Sequence, residues 1–283
     1  MQIIREKDEL RRAVAELRAD GGTIAFVPTM GALHAGHIAL VEEARRLATH
    51  VVASIFVNPT QFGPSEDLSR YPRREAADAR MLDEAGCALL WAPDAVTMYP
   101  QGHATSIHVA GVGDGLCGAS RPGHFDGVAT VVAKLFGQVA PDVALFGEKD
   151  YQQLAVIRRM AADLDLPVGI VGVPTQRDVD GLALSSRNNY LSEEERRAAR
   201  ALPRALGETA RGIGEGAAIE DALAKAREAL AAAGFGPVDY VELRDAETLG
   251  AVDGRTREAR LLAAAWLGST RLIDNLPVAL PNS

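Results

Sequence analysis

Residues 24–48 constrain this chain more than any other stretch. Ile24-Ala25-Phe26-Val27 is an apolar run of strand length, Pro28 stops it, and Thr29 to His37 follows as a turn of small residues. From Ile38 the period changes: Ile38, Val41, Ala44 and Leu47 recur at helical spacing, with Glu42, Glu43, Arg45 and Arg46 on the other face. Strand, glycine-containing turn and helix in that order bring free backbone N–H groups and the positive end of a helix dipole to one point, an anion site whose usual occupant is phosphate. His34 and His37, at the helix entry, lie on one face and point at a common ligand. Neutral imidazoles donate hydrogen bonds there, and protonated ones neutralise charge on a phosphoryl group. The plainer alternative is a pair of surface histidines beside a turn. The coincidence of a strand, two glycines and a helix weighs against it.

The rest of the chain repeats the alternation. Ile3–Ile4 reads as a short strand or docked arm, and Asp8 as the cap of a helix through Leu10, Val14 and Leu17 that Gly21 and Gly22 end. Val51 to Val57 is a second strand, apolar on both faces as a buried parallel strand is, and it runs into the loop Asn58 to Pro64. Residues 64–74 read as a mobile loop, 74–85 as a helix, 87–92 as a strand, and 99–118 as irregular with a strand at 106–109. A helix at 127–140, a strand at 142–146, a helix at 150–164 and a strand at 168–173 complete the series. This order predicts an α/β fold with a parallel sheet and crossover helices, its ligand beyond the carboxyl ends of the strands. The suggestive polar residues fall at those ends, at 29–37, 58–61 and 147–153.

After Pro174 the composition changes. Ser192 with Glu195 forms a capping box for an Arg-, Glu- and Ala-rich helix, a second Ala-rich helix covers 219–233, and strands are expected at 238–243, 259–267 and 272–274. The expected organisation is a domain over 1–175 and a smaller α+β domain over 176–283 that closes on it.

A net charge of −8 over 283 residues argues against a large nucleic-acid surface, which needs a basic stripe. Cys87 and Cys117 sit in no zinc-ligand spacing. With no apolar run of membrane-spanning length and no signal-peptide pattern at 1–7, a cytoplasmic protein without a membrane partner is expected.

Three further segments carry chemistry. In Gly147-Glu148-Lys149-Asp150-Tyr151-Gln152-Gln153, Gly147 lets backbone approach a ligand and Lys149 supplies a point charge. Asp150 either caps the following helix or helps hold Mg²⁺ beside nucleotide phosphates. Leu184-Ser185-Ser186-Arg187 offers two hydroxyls and a guanidinium, a set suited to phosphate oxygens. Arg121 either orders loops or meets phosphate, with a surface ion pair as the alternative. Gln61 has an amide that serves a carboxylate, a hydroxyl or an amine. Met30, Phe56, Val128 and Val131 are candidates for an apolar wall.

The string Pro28-Thr29-Met30-Gly31-x-Leu33-His34-x-Gly36-His37 resembles the His-x-Gly-His signature of the Rossmann-like adenylyl-transferring superfamily. Within it, the match is to the pantothenate synthetase (pantoate–β-alanine ligase) family, and the segments above extend the resemblance over almost the whole chain. The resemblance implies a Rossmann-like fold and an ATP-dependent condensation of pantoate with β-alanine through a pantoyl adenylate, with Mg²⁺ accompanying ATP. It implies ATP contacts at Met30, Gly31, Ala32, Leu33, His34, Ala35, Gly36, His37, Gly147, Glu148, Lys149, Asp150, Gln176, Leu184, Ser185, Ser186 and Arg187. Gln61 would contact pantoate and β-alanine, Gln153 pantoate, and Asp150 the metal, while His34, His37, Lys149 and Arg187 would carry the catalysis. It also implies a homodimer. Gln176 departs from the apolar residue often found at its place in the family. Two rival readings are a nucleotidyltransferase that leaves the nucleotide on its acceptor and a non-catalytic nucleotide sensor on the same fold.

Overall fold

The alternation of strands and helices resolves into two sheets in a computed structural model that describes residues 1–64 and 66–280. Ser65, in the expected 64–74 loop, and residues 281–283, at the end of the expected second domain, lie outside the described residues. The first sheet comprises β1 (Gln2–Ile4), β2 (Ile24–Thr29), β3 (His50–Ile55), β4 (Leu89–Trp91), β5 (Val143–Gly147) and β6 (Gly169–Val173). Between them run α1 (Lys7–Arg18), α2 (Ala35–Leu47), α3 (Glu75–Glu84), the short α4 (Ala95–Met98) and α5 (Cys117–Ser120), α6 (His124–Val139) and α7 (Tyr151–Asp163). The strands are all parallel, in the order β1-β4-β3-β2-β5-β6.

Side-chain alternation along β2 explains why helices cover both faces. Ile24 and Phe26 pack with Leu10 and Val14 of α1, Val128 and Leu135 of α6, and Leu154 of α7. Ala25 and Val27 face the other way, against Leu40, Val41 and Ala44 of α2 and Ala79 and Leu82 of α3. The chain leaves β2 toward β3 and β4 on one side and later returns to β5 on the other, so the strand order reverses between β2 and β5. That reversal opens a crevice at the carboxyl ends of these two strands.

Three local expectations differ from the structure. Pro28 does not stop β2, which continues to Thr29. Pairing with β5 is confined to Ala25 and Phe26, so the missing N–H of Pro28 breaks no ladder on that side. Helix α1 begins at Lys7 with Glu6 as its N-cap, and Asp8 lies in the first turn, paired with Arg11. Residues 106–109 form no strand: Ile107 N donates instead to Thr130 Oγ1 on α6.

Beyond β6 come α8 (Glu193–Ala198), α9 (Ala201–Gly214), α10 (Ile219–Ala232) and the antiparallel sheet β7 (Val238–Asp245), β8 (Ala259–Leu267), β9 (Thr270–Val278). The Ser192–Glu195 capping box is present at the start of α8. One face of this sheet, with Val241, Leu261 and Ala263, packs on Leu202 and Leu206 of α9 and Leu223 and Leu230 of α10. The opposite face, with Tyr240, Leu262 and Ala264, joins the core of the larger sheet. The second sheet is therefore docked by apolar burial, and Asn275 on β9 bonds the junction that follows β5.

Candidate active site

The turn after β2 builds one wall of the crevice. His34 caps α2: its Nδ1 accepts from Gly36 N at 3.1 Å, and His37 Nδ1 accepts from His34 N at 3.3 Å. An imidazole whose Nδ1 accepts must carry its proton on Nε2. Both rings, tilted at 48° with centroids 4.2 Å apart, thus present Nε2–H donors. Burial, reinforced by the Lys149 charge, pushes the His34 pKa down to about 4. Burial, with the neighbouring His34, pushes His37 down to about 3. At neutral pH these are neutral hydrogen-bond donors; of the two roles open to the pair, the structure favours donation over charge neutralisation. Gly36 is required sterically, since a Cβ there would sit 2.9 Å from His34 Cε1.

Most of the expected free N–H groups at this turn are already bonded. Gly31 N donates to Thr29 Oγ1, Ala32 N and Leu33 N to the carboxylate of Asp78 at 2.8 and 2.9 Å, and His37 N to His34 O. The turn curls around a protein carboxylate, which takes the N–H groups of Ala32 and Leu33.

His34, His37 and Gly36 line a cavity of about 220 Å³ together with Met30. Its apolar side includes Phe56, Val128 and Val131, as expected. From the loop after β3 comes Gln61, 8 % exposed. Gln61 Oε1 accepts from Asn58 Nδ2 at 3.0 Å, and its Nε2 donates to Met30 Sδ at 3.1 Å. Asn58 in turn donates to Gly127 O and accepts from Tyr99 Oη at 2.8 Å, which fixes both amides. Helix α6 approaches so closely that a Cβ on Gly127 would lie 2.5 Å from Thr60 O.

The junction after β5 supplies Gly147, Lys149, Asp150 and Gln153 to the same cavity. Asp150 makes no side-chain cap to α7, so the capping alternative fails; its carboxylate lies 3.8 Å from Lys149 Nζ. Asn275 of β9 donates to the carbonyls of Glu148 and Lys149, both at 2.9 Å, and clamps the junction from the second sheet. Glu148 points out of the cavity to Arg260. Neighbouring Gln152 is a structural residue, bonded to Cys117 N, Val112 O and Gly115 O, whereas Gln153 faces the cavity.

Gln176, Leu184, Ser185, Ser186 and Arg187 close the cavity from the segment leading to the second sheet. Gln176 folds its amide onto Pro174 O while its carbonyl accepts from Leu184 N, so its contribution to the wall is largely backbone. Ser186 Oγ lies 3.4 Å from Tyr71 Oη. Arg187 is engaged: Nε and Nη2 donate to Asp67 at 3.2 and 3.1 Å. The adjacent Glu66 takes Arg121 in the same way, at 2.8 and 2.6 Å. Burial raises the Glu66 pKa, but the Arg121 bonds outweigh it and hold the carboxyl below its usual range. Arg121 also donates to His124 Nε2 at 2.9 Å, leaving His124 Nδ1–H for Gln61 O at 2.8 Å. Arg121 thus orders these loops while also lining the cavity, and its ion pair with Glu66 is largely buried rather than on the surface.

Among the expected contacts, Gly31, Ala32, Leu33, Ala35 and Glu148 stand behind the wall; the others line it. Sequence reasoning assigned no part to Asp67, Tyr71, Asp78, His124 or Thr175. Thr175 Oγ1 is a buried hydroxyl without a partner among the described residues, on a residue that lines the cavity. A second cavity of about 470 Å³, between the two sheets, shares Lys149, Asp150, Gln153 and Arg187 with the first. No group of three or more His, Cys, Asp or Glu side chains among the described residues is disposed to hold a metal ion. No helix is long and apolar enough to cross a membrane.

The family model for pantoate–β-alanine ligase matches residues 2–277. A pantothenate synthetase of Rhizorhabdus wittichii is 67% identical over 98% of this chain and 99% of its own length. The crystal structure of pantothenate synthetase from Thermus thermophilus superposes with a TM-score of 0.92 at 51% identity, over 98% of this chain and 99% of that one. A pantoate–β-alanine ligase from Francisella tularensis, solved with β,γ-ATP and β-alanine, has a TM-score of 0.82 at 33% identity over 98% of this chain and 97% of its own. With this length of match, and with the signature histidines and Lys149 on one cavity, the chain belongs to the pantoate–β-alanine ligase family.

Proposed function

We propose a division of labour among the cavity residues for the reaction this chain catalyses. That reaction is the ATP-dependent condensation of (R)-pantoate with β-alanine to pantothenate, AMP and pyrophosphate. The pantoate carboxylate attacks the α-phosphorus of ATP and expels pyrophosphate. The amine of β-alanine then attacks the acyl carbon of the pantoyl adenylate, and AMP leaves with the bridging oxygen.

The Nε2–H groups of His34 and His37 donate to phosphate oxygens as charge builds in the first step, with Lys149 adding its positive charge. The observation that carries this assignment is the locked tautomer: both Nδ1 atoms accept backbone N–H, so both Nε2–H donors are committed to the cavity. Ser185, Ser186 and the backbone at Gln176 and Leu184 hold the nucleotide, and Arg187 joins them by exchanging Asp67 for phosphate. Gln61 and Gln153 hold pantoate, whose gem-dimethyl group meets Met30, Phe56, Val128 and Val131. Gln61 also meets β-alanine.

Asp150, which among the described residues has only the long ion-pair contact to Lys149, would offer its carboxylate to Mg²⁺, which would offset charge on the triphosphate. Residues 176–283 serve as a lid over the domain 1–175 and shield the mixed anhydride from water. The family resemblance further supports a homodimer, which sedimentation velocity tests, and a cytoplasmic location, which fractionation tests.

Mass-spectrometric product analysis with ATP, Mg²⁺, D-pantoate and β-alanine, omitting each in turn, tests the reaction. Pantothenate with AMP and pyrophosphate is expected from the full mixture, and pantoyl adenylate when β-alanine is left out. Nucleotide transfer that ignores β-alanine would overturn the assignment in favour of a nucleotidyltransferase.

A further inference from the structure

Asp78 is a carboxylate in the early part of α3, 2 % exposed, and nothing in the chemistry above uses it. Burying a carboxylate is costly unless its oxygens are bonded. Here the partners are backbone: Oδ2 accepts from Ala32 N at 2.8 Å and Oδ1 from Leu33 N at 2.9 Å. Successive N–H groups converge in this way where the chain turns through left-handed conformations, as Gly31 (φ 84) and Ala32 (φ 52) do. Ala32 is strained there, since its Cβ crowds the backbone in that region. The fit behind Gly31 is close as well: a Cβ on it would lie 3.1 Å from Asp78 Oδ2 and 3.2 Å from Ile55 Cγ2.

This strained turn sits between the groups that line the cavity. On its N-terminal side is Met30, whose Sδ accepts from Gln61 Nε2. On its C-terminal side is His34, whose N–H orients His37 and whose ring caps α2. We propose that Asp78 is a positioning residue for adenylate formation: from behind the turn, its carboxylate holds residues 31–33 in the path that aims Met30, His34 and His37 into the cavity. The inference rests on the roles given above to those two histidines. Asp78 touches no reacting atom. It acts through backbone, by occupying the nest that an anionic ligand would otherwise fill.

Asp78→Asn keeps the shape and sets an amide N–H against one of the two backbone donors. Single-turnover formation of pantoyl adenylate is expected to slow roughly 10²-fold, as for a small misplacement of reacting groups. KM for ATP and pantoate should stay within roughly threefold, because ground-state contacts remain. In ¹H–¹⁵N spectra of the imidazoles, the Nε2–H tautomer signature of His34 and His37 should become mixed in the variant. An unchanged adenylation rate overturns the inference. So does a slower rate with an unaltered imidazole signature and equal losses in substrate binding, the pattern of general destabilisation. Should the variant not fold, hydrogen exchange in the unmodified protein decides: Ala32 and Leu33 amides are expected to exchange as slowly as those of β2, and rapid exchange refutes the contact. Unmodified protein that forms no adenylate would instead refute the reaction assigned to the cavity, so the two failures are distinguishable.

Discussion

Removing the charge of Asp67 should tighten ATP binding. In this structure Arg187 does not wait for phosphate; it holds Asp67 through two bonds of 3.2 and 3.1 Å, with both side chains largely buried. For Arg187 to meet a triphosphate, that pair has to part, and Asp67 has to return to water. Charge-assisted hydrogen bonds contribute about 1.5–3 kcal/mol in protected settings, and rehydrating the carboxylate recovers part of that. A net cost of about 1–2 kcal/mol is the reasonable magnitude, which at about 1.4 kcal/mol per tenfold corresponds to roughly 5–30-fold in affinity. Asp67→Asn keeps the shape and weakens the competitor, so the Kd for ATP measured calorimetrically without pantoate should fall by that factor. The gain must vanish in an Arg187→Ala background, where no guanidinium remains to be released. Unchanged or weaker ATP binding in Asp67→Asn, or a gain that persists without Arg187, would refute the exchange.

Other perturbations read separate parts of the site. Changing His34 and His37 to Ala, singly and together, should lower the adenylation rate by roughly 10²-fold or more, and an unaffected chemical step in all three variants would remove the histidines from the mechanism. Gly127→Ala drives a Cβ to 2.5 Å from Thr60 O, a backbone atom that cannot swing aside; a loss of about 1–3 kcal/mol in urea unfolding is expected, and wild-type stability would show that α6 shifts freely. Tyr99→Phe deletes the donor to Asn58 Oδ1 and loosens the chain that holds Gln61, so the KM for pantoate should rise about 2–10-fold, with an unchanged KM arguing that Asn58 needs no such anchor. Burial lowers His124 to about 4 and His37 to about 3, both below the ordinary 6.5. The unfolded chain therefore takes up their protons first, and stability, complete above pH 6.5, should fall with acidification toward pH 4. The slope is at most about 1.4 kcal/mol per pH unit for each buried imidazole. Flat unfolding free energies from pH 7.5 to 5 would mean that these rings are solvated.

The local signals were those in which neighbours in sequence decide the outcome. The apolar run at 24–27, the turn and the helical period from Ile38 placed β2 and α2, because pleat and helix periods are written in adjacent residues. Alternation of such units implied a parallel sheet with its ligand at the carboxyl ends of the strands, and the signature string assigned the family. The same local reasoning erred where a distant partner mattered. Pro28 was tolerated in β2 because β5 pairs only with Ala25 and Phe26. At 106–109 the N–H of Ile107 goes to Thr130 Oγ1 on α6 rather than to a strand.

What the sequence by itself determined is therefore the order of the elements, the larger α/β fold and most of the residues that face the cavity. What only the tertiary structure decided is the state in which those residues are held. A histidine pair reads the same whether charged or neutral until burial lowers both rings and two backbone N–H groups select the tautomer. The turn read as an open anion nest until Asp78, forty-five residues beyond Leu33, was found inside it. Arg187 reads as a phosphate donor in the sequence, and only the fold shows that Asp67 already engages its guanidinium. Protonation and pairing depend on desolvation and on which charges meet across long stretches of chain, and neither is encoded within any one window of residues.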